Sequence, residues 1–215
     1  MRARVKVCGI TRLEDALLAA SLGADALGFI FWRPSKRYLE PTAARAIVEA
    51  LPPFVTPIGL FVDEEPAAIE AAAKASGVRA LQLHGRETPS DCRARSLPVL
   101  KALPIEGPAS LERADDYDVW GLVLDAPSGG GSGQRFDWAL VERRRPRAPF
   151  LVAGGLTPDN VGLAIERLSP YGVDVASGVE SAPGVKDPRK LERFFEAVGL
   201  AATPPRATHH DENRA

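Results

Sequence analysis

Two residues of this chain have side chains suited to exchanging protons with a carbon acid, and each closes an apolar run. Cys8 ends "RVKVC" at 4–8, just before Gly9, and Asp125 ends "VWGLVLD" at 119–125, just before Ala126 and Pro127. In the first run Val5 and Val7 alternate with Arg4, Lys6 and Cys8, the period-two pattern of a strand. In the second, Val119, Gly121, Val123 and Asp125 share one face, while Trp120, Leu122 and Leu124 form a bulky opposite face suited to packing against helices. A thiol and a carboxyl meeting at strand ends can act as a pair, one taking a proton while the other gives one. Each also has a plainer reading. A free Cys often fills core space, and an Asp after a strand often caps its loop.

Other candidates would bind rather than react. "AGGLTPDN" places Gly154 and Gly155 after one apolar run, with a helix expected from Thr157-Pro158, and "ASGVESAPGVKD" places Ser177 and Gly178 after the next, before a single helical turn. Glycines let backbone N–H groups approach an anion, and helix starts present free donors to it. "WRPSKRYLEP" carries Arg33, Lys36 and Arg37, either a solvated loop or a clamp for a carboxylate through a bidentate Arg. His84 ends "ALQLH" in phase with Gln82, as a hydrogen-bonded rim residue or a catalytic one.

The elements that must position these residues alternate along the chain. Strand-like runs occupy 3–8, 25–31, 55–62, 80–84, 98–103, 119–125, 149–154 and 172–177. Between them lie helical spacings such as Leu13, Ala16, Leu17 and Ala20, or Val161, Ala164, Ile165 and Leu168. Thr11, Pro41 and Pro66 read as helix starts, and the weakest helix falls within 106–116. Eight such units imply an α/β chain with a parallel sheet, and a closed single-domain (β/α)8 barrel over 1–200. The first turn, "CGIT", lacks the glycine fingerprint of a dinucleotide-binding open sheet. Residues 201–215 read as a disordered tail.

A barrel turns one strand face inward and builds its site at the C-terminal rim. Cys8 and Asp125 then face each other across the mouth, and the loops after the seventh and eighth strands form a phosphate cradle. Lys6 lies one inward layer below Cys8, where a buried ammonium needs a partner. Asp174, on the closing strand, is the expected one. The cation is expected to favour the thiolate, lowering Cys8 from its free value of about 8.5. The glycine-rich loop 126–138 reads as a mobile cover.

Composition narrows the function classes. A 215-residue chain with 45 % hydrophobic residues and a net charge of −1 has an ordinary globular core and no basic excess for nucleic acid. No apolar run reaches the ~18 residues of a membrane span, and there is no signal-peptide pattern, so a cytoplasmic protein without membrane partners is expected. Two cysteines, Cys8 and Cys92, make no disulfide framework or CxxC, and adjacent His209 and His210 in a polar tail make a poor metal site. No metal is expected.

Taken together, "VKVCGIT" (5–11), "GADALGFIFWRPSKRYLEP" (23–41), "LQLHG" (81–85), "VLDAPSGGGSGQRFDW" (123–138), "GGLTPDNV" (154–161) and "VDVASGVESAPGVKD" (173–187) resemble the phosphoribosylanthranilate isomerase family of tryptophan biosynthesis. The resemblance spans almost the whole chain. It implies a (β/α)8 fold and an Amadori rearrangement of a phosphosugar substrate without a cofactor. It further implies Cys8 as general base, Asp125 as general acid, Arg37 on the anthranilate, and Gly154, Gly155, Ser177 and Gly178 at the phosphate. Two alternatives remain at this level. One is another phosphosugar barrel isomerase, such as the histidine-pathway aminoaldose enzyme, which resembles this chemistry but carries aspartates at both rim positions. The other is a non-catalytic barrel that binds a phosphosugar. A homodimer is compatible with either.

Overall fold

Apolar runs become strands wherever a helix can cover their bulky face. The computed structural model describes residues 2–93, 95–127 and 135–201. The strands are β1 (Arg4–Cys8), β2 (Ala26–Ile30), β3 (Thr56–Phe61), β4 (Ala80–Leu83), β5 (Val99–Pro104), β6 (Gly121–Asp125), β7 (Phe150–Val152) and β8 (Gly172–Val175). Each pairs in parallel with the next, and β1 pairs with β8, closing the barrel in chain order. The helices are α1 (Leu13–Ser21), α2 (Pro41–Glu49), α3 (Pro66–Ser76), α4 (Pro89–Arg93), α5 (Pro108–Ala114), α6 (Trp138–Arg143), α7 (Val161–Leu168) and α8 (Pro188–Leu200). The expected (β/α)8 barrel is the fold.

The outward face is apolar because the helices bury it. Val5, Val7, Leu27, Phe29, Leu122 and Leu124 belong to one buried cluster with Ala16, Ile69, Ile165, Leu168 and Phe194 from the helices. Each fully buried side chain of this size stabilises by about 1.5–3 kcal/mol. A one-residue slip of a strand would send this whole set into the barrel, so the register is strongly specified. Inside, Ala102, Val123, Leu151 and Ala153 pack together, and a second cluster of Cys8, Ile30 and Leu60 is joined by Val62 and Ala176.

Several local expectations are corrected. Trp120 does not pack under helices: it precedes the first β5–β6 pair, Leu100–Gly121, and is 75 % exposed. Thr157-Pro158 does not start α7 but forms a turn before it, closed by Asn160 Oδ1 accepting from the Thr157 amide at 2.9 Å. Thr11 does not cap α1, since its Oγ1 donates to the Gly184 carbonyl at 2.6 Å. That carbonyl belongs to a feature the sequence reading lacked, an antiparallel hairpin of β9 (Glu180–Ala182) and β10 (Val185–Lys186). Ala201, assigned to the tail, is buried in the core. Residues 202–215, with His209 and His210, and residues 128–134 of the expected cover lie outside the described residues.

Candidate active site

Cys8 is inward on β1 because Val5 and Val7 occupy the helix side. Its room comes from β2. A Cβ built on Gly28 would stand 2.8 Å from Cys8 Sγ and 3.2 Å from Lys6 Nζ, so only glycine leaves space for a thiol and an ammonium here. Gly9, next in the chain, has φ +73°, and a side chain there would meet the stem of Arg37. The chain turns at Gly9 in a conformation few residues adopt, and Arg37 lies across it.

Below Cys8, Lys6 Nζ donates to Asp174 Oδ2 at 2.8 Å, and both side chains are buried. This is the expected ion pair, made possible by the β1–β8 register of Lys6 opposite Asp174. Burial alone would lower the Lys6 ammonium, but the Asp174 carboxylate and Cys8 outweigh it and raise it. The expectation for the thiol is corrected. Burial pushes Cys8 upward more than Lys6 pulls it down, with Asp174 adding to the rise, so the thiol stands above its ordinary value.

Asp125, at the end of β6, is buried as well. Its Oδ1 accepts from the Ala126 amide at 2.7 Å, so the loop-capping reading is correct as far as one oxygen goes. The other oxygen, Oδ2, lies 3.4 Å from His84 Nε2. Gln82 Nε2 sits 3.0 Å from His84 Nδ1. With Gln82 donating there, the imidazole's own proton is on Nε2, toward Asp125. His84 is thus a hydrogen-bonded rim residue in contact with the candidate acid. Gly154, at φ +75°, is also required, since a Cβ would stand 2.8 Å from Asp125 Oδ1.

Cys8, Arg37, His84, Asp125, Gly154, Gly155, Ser177 and Gly178 all line one cavity of about 320 Å³. Ser177–Val179 is a single 3-10 turn, as expected after β8. Gly178 packs so closely on the Leu156 carbonyl that a Cβ would collide with it, which brings the loops after β7 and β8 together. Of the three cations after β2, only Arg37 reaches the cavity. Arg33 pairs with Glu40 and lies over the Tyr38 ring, and Lys36 is exposed.

Arg37 brings a partner that sequence reasoning missed. Glu180, on the hairpin, accepts from Arg37 Nε at 2.9 Å and from Nη2 at 2.7 Å. It also accepts from Lys186 Nζ at 2.8 Å. Burial would raise the Glu180 carboxyl, but the Arg37 hydrogen bonds and the Lys186 charge outweigh it and hold it below the usual carboxylate range. The one available signal was a Glu and a Lys six residues apart in "VESAPGVK", which reads as an ordinary solvated turn.

A closed parallel barrel with a thiol, a carboxyl, an Arg and two glycine loops around one mouth defines an enzyme of the (β/α)8 class equipped for acid–base chemistry on an anionic substrate. Comparison with known proteins places it further. The family model described as "N-(5'phosphoribosyl)anthranilate (PRA) isomerase" matches residues 5–197. The chain belongs to this isomerase family. A relative from Geobacter sp. (strain M21) named N-(5'-phosphoribosyl)anthranilate isomerase is 48 % identical over 89 % of this chain and 95 % of its own length. Two solved structures cover 92 % of this chain and 99 % of theirs. One is described as monomers of the dimeric Thermotoga maritima enzyme (41 % identity, TM-score 0.83). The other holds the enzyme in complex with reduced 1-(o-carboxyphenylamino)-1-deoxyribulose 5-phosphate (41 % identity, TM-score 0.82). Among the described residues no helix is long and apolar enough to cross a membrane.

Proposed function

We propose that this chain converts N-(5′-phosphoribosyl)anthranilate into 1-(2-carboxyphenylamino)-1-deoxyribulose 5-phosphate, a step of tryptophan biosynthesis, with Cys8 and Asp125 as its base and acid. The observation that carries the reading is the single cavity lined by Cys8, Asp125, Arg37 and the glycine loops. Asp125, as the acid, gives its proton to the furanose oxygen. The anilino nitrogen's lone pair forms the C1′=N bond as the ring C–O bond breaks. The base is the thiolate fraction of Cys8, which Lys6 supports against the rise that burial causes; it takes the C2′ proton, and the electron pair flows into the iminium to give an enolamine. The enolamine then takes a proton at C1′ and gives up its C2′ hydroxyl proton, which leaves the ketose and in sum returns Cys8 and Asp125 to their starting forms. The iminium supplies the electron sink, so these steps call on no other group. Arg37 holds the carboxylate, and Gly154, Gly155, Ser177 and Gly178 hold the phosphate.

The purified protein is expected to consume freshly made phosphoribosylanthranilate, read as loss of anthranilate fluorescence. Binding of the phosphosugar without turnover would instead support the non-catalytic barrel. The same reading places the protein in the cytoplasm, in keeping with two free cysteines.

The chain is also proposed to self-associate. Phe54 is 94 % exposed and, with exposed Trp120 and Tyr171, lines the opening at the N-terminal end of the barrel. Large apolar side chains grouped this way mark an interface, and the Thermotoga maritima neighbour is described as dimeric. A second copy is the proposed occupant. Sedimentation at micromolar concentration is expected to give two chains, falling to one in Phe54→Ser; a wild-type mass of one chain contradicts the dimer.

A further inference from the structure

The β9–β10 hairpin is tied down onto the β1–α1 segment. Thr11 Oγ1 donates to Gly184, Asp15 Oδ2 accepts from the Lys186 amide at 3.0 Å, and Lys186 Nζ donates to the Cys8 carbonyl at 2.6 Å. These contacts hold two buried charges, Glu180 and Lys186, behind Arg37, which itself lines the cavity.

What Glu180 leaves free is as informative as what it binds. A guanidinium has five N–H groups in a fixed plane. Glu180 takes the edge made by Nε and one Nη2 hydrogen, with contacts of 2.9, 3.1 and 2.7 Å. The remaining edge, formed by Nη1 and the second Nη2 hydrogen, matches the two oxygens of another carboxylate. Charge points the same way. The Arg37–Glu180 pair alone is neutral and would give a carboxylate little net attraction. Lys186 Nζ is surrounded by Cys8 O at 2.6 Å, Glu180 Oε1 at 2.8 Å and Ala176 O at 3.4 Å, three acceptors that fit the three hydrogens of an ammonium. Burial lowers the Lys186 ammonium from its ordinary value while Glu180 and these acceptors support it, and with Lys186 as an ammonium the three side chains sum to a single positive charge.

Resting on the isomerase reading, we infer that Glu180 and Lys186 are positioning residues for the substrate's aromatic carboxylate. Glu180 turns the free edge of Arg37 toward the cavity, and Lys186 restores the positive charge that Glu180 would otherwise cancel. Neither touches the substrate.

Calorimetric binding of two probes tests this. One is reduced 1-(o-carboxyphenylamino)-1-deoxyribulose 5-phosphate, and the other is its phenylamino counterpart without the carboxylate. The proteins are wild type, Glu180→Gln and Glu180→Asp; Asp keeps the negative charge but is shorter, which guards against a Gln variant that fails to fold. Wild type is expected to prefer the carboxylated probe. Each variant is expected to lose about tenfold or more for that probe and to stay within about twofold for the other, the loss of hydrogen bonds to a charged group. Equal losses for both probes, or a wild type indifferent to the carboxylate, overturn the inference. A wild type that binds neither probe overturns the isomerase reading instead.

Discussion

Lys6 and Asp174 meet at 2.8 Å across the seam where the first strand joins the last, and both are buried beneath the thiol of Cys8. Removing either partner leaves an uncompensated charge in the barrel. Lys6→Met is predicted to destabilise by about 3–5 kcal/mol, and Lys6→Met combined with Asp174→Leu to recover most of the loss, because breaking a buried pair costs more than replacing it. Denaturant unfolding of the three proteins checks this, and a double variant as unstable as the single contradicts it. The sign of the pH effect follows from the raised Lys6 ammonium. Its contribution is fully present below the ordinary value of 10.5 and is lost as pH rises through the higher folded value.

Burial outweighs Lys6 at Cys8, so the free enzyme is predicted to hold the thiol and not the thiolate at neutral pH. The alkylation rate of Cys8 by iodoacetamide should keep climbing past pH 8.5 or so, the region where an ordinary free thiol is half ionised. Mass spectrometry separates it from Cys92, whose own thiol is pushed up to about 11 by burial. A half-maximal rate below pH 7 would mean that Lys6 wins after all.

Gly178 is predicted to govern phosphate affinity through the Leu156 carbonyl it packs against. Gly178→Ala forces the loops after β7 and β8 apart. KM should rise about tenfold or more, equivalent to about 1.4 kcal/mol of binding, with kcat changing less. An unchanged KM would place the phosphate elsewhere.

Much of this was legible in the sequence, for identifiable reasons. Period two separated Val5 and Val7 from Lys6 and Cys8, and barrel closure then put Lys6 opposite Asp174. Cys8 and Asp125 were legible because both are strand-terminal and in inward phase. Glu180 and Lys186 were not, since their burial depends on a hairpin folding back onto Thr11 and Asp15, contacts between segments about 170 residues apart. His84 was placed at the rim, but its contact with Asp125 depends on strand order around the barrel and not on local pattern. Trp120 failed in the other direction: its alternation is sound, yet it lies one residue ahead of the strand and outside the helix layer.

The central claim is that Cys8 and Asp125 divide the proton transfers between them. The most direct test is single-turnover conversion of phosphoribosylanthranilate by wild type, Cys8→Ser and Asp125→Asn, with melting curves to show that each is folded. Each variant is predicted to lose about 10²–10⁴ in rate, the usual contribution of a general acid or base. A folded variant within about tenfold of wild type would remove that residue from the mechanism.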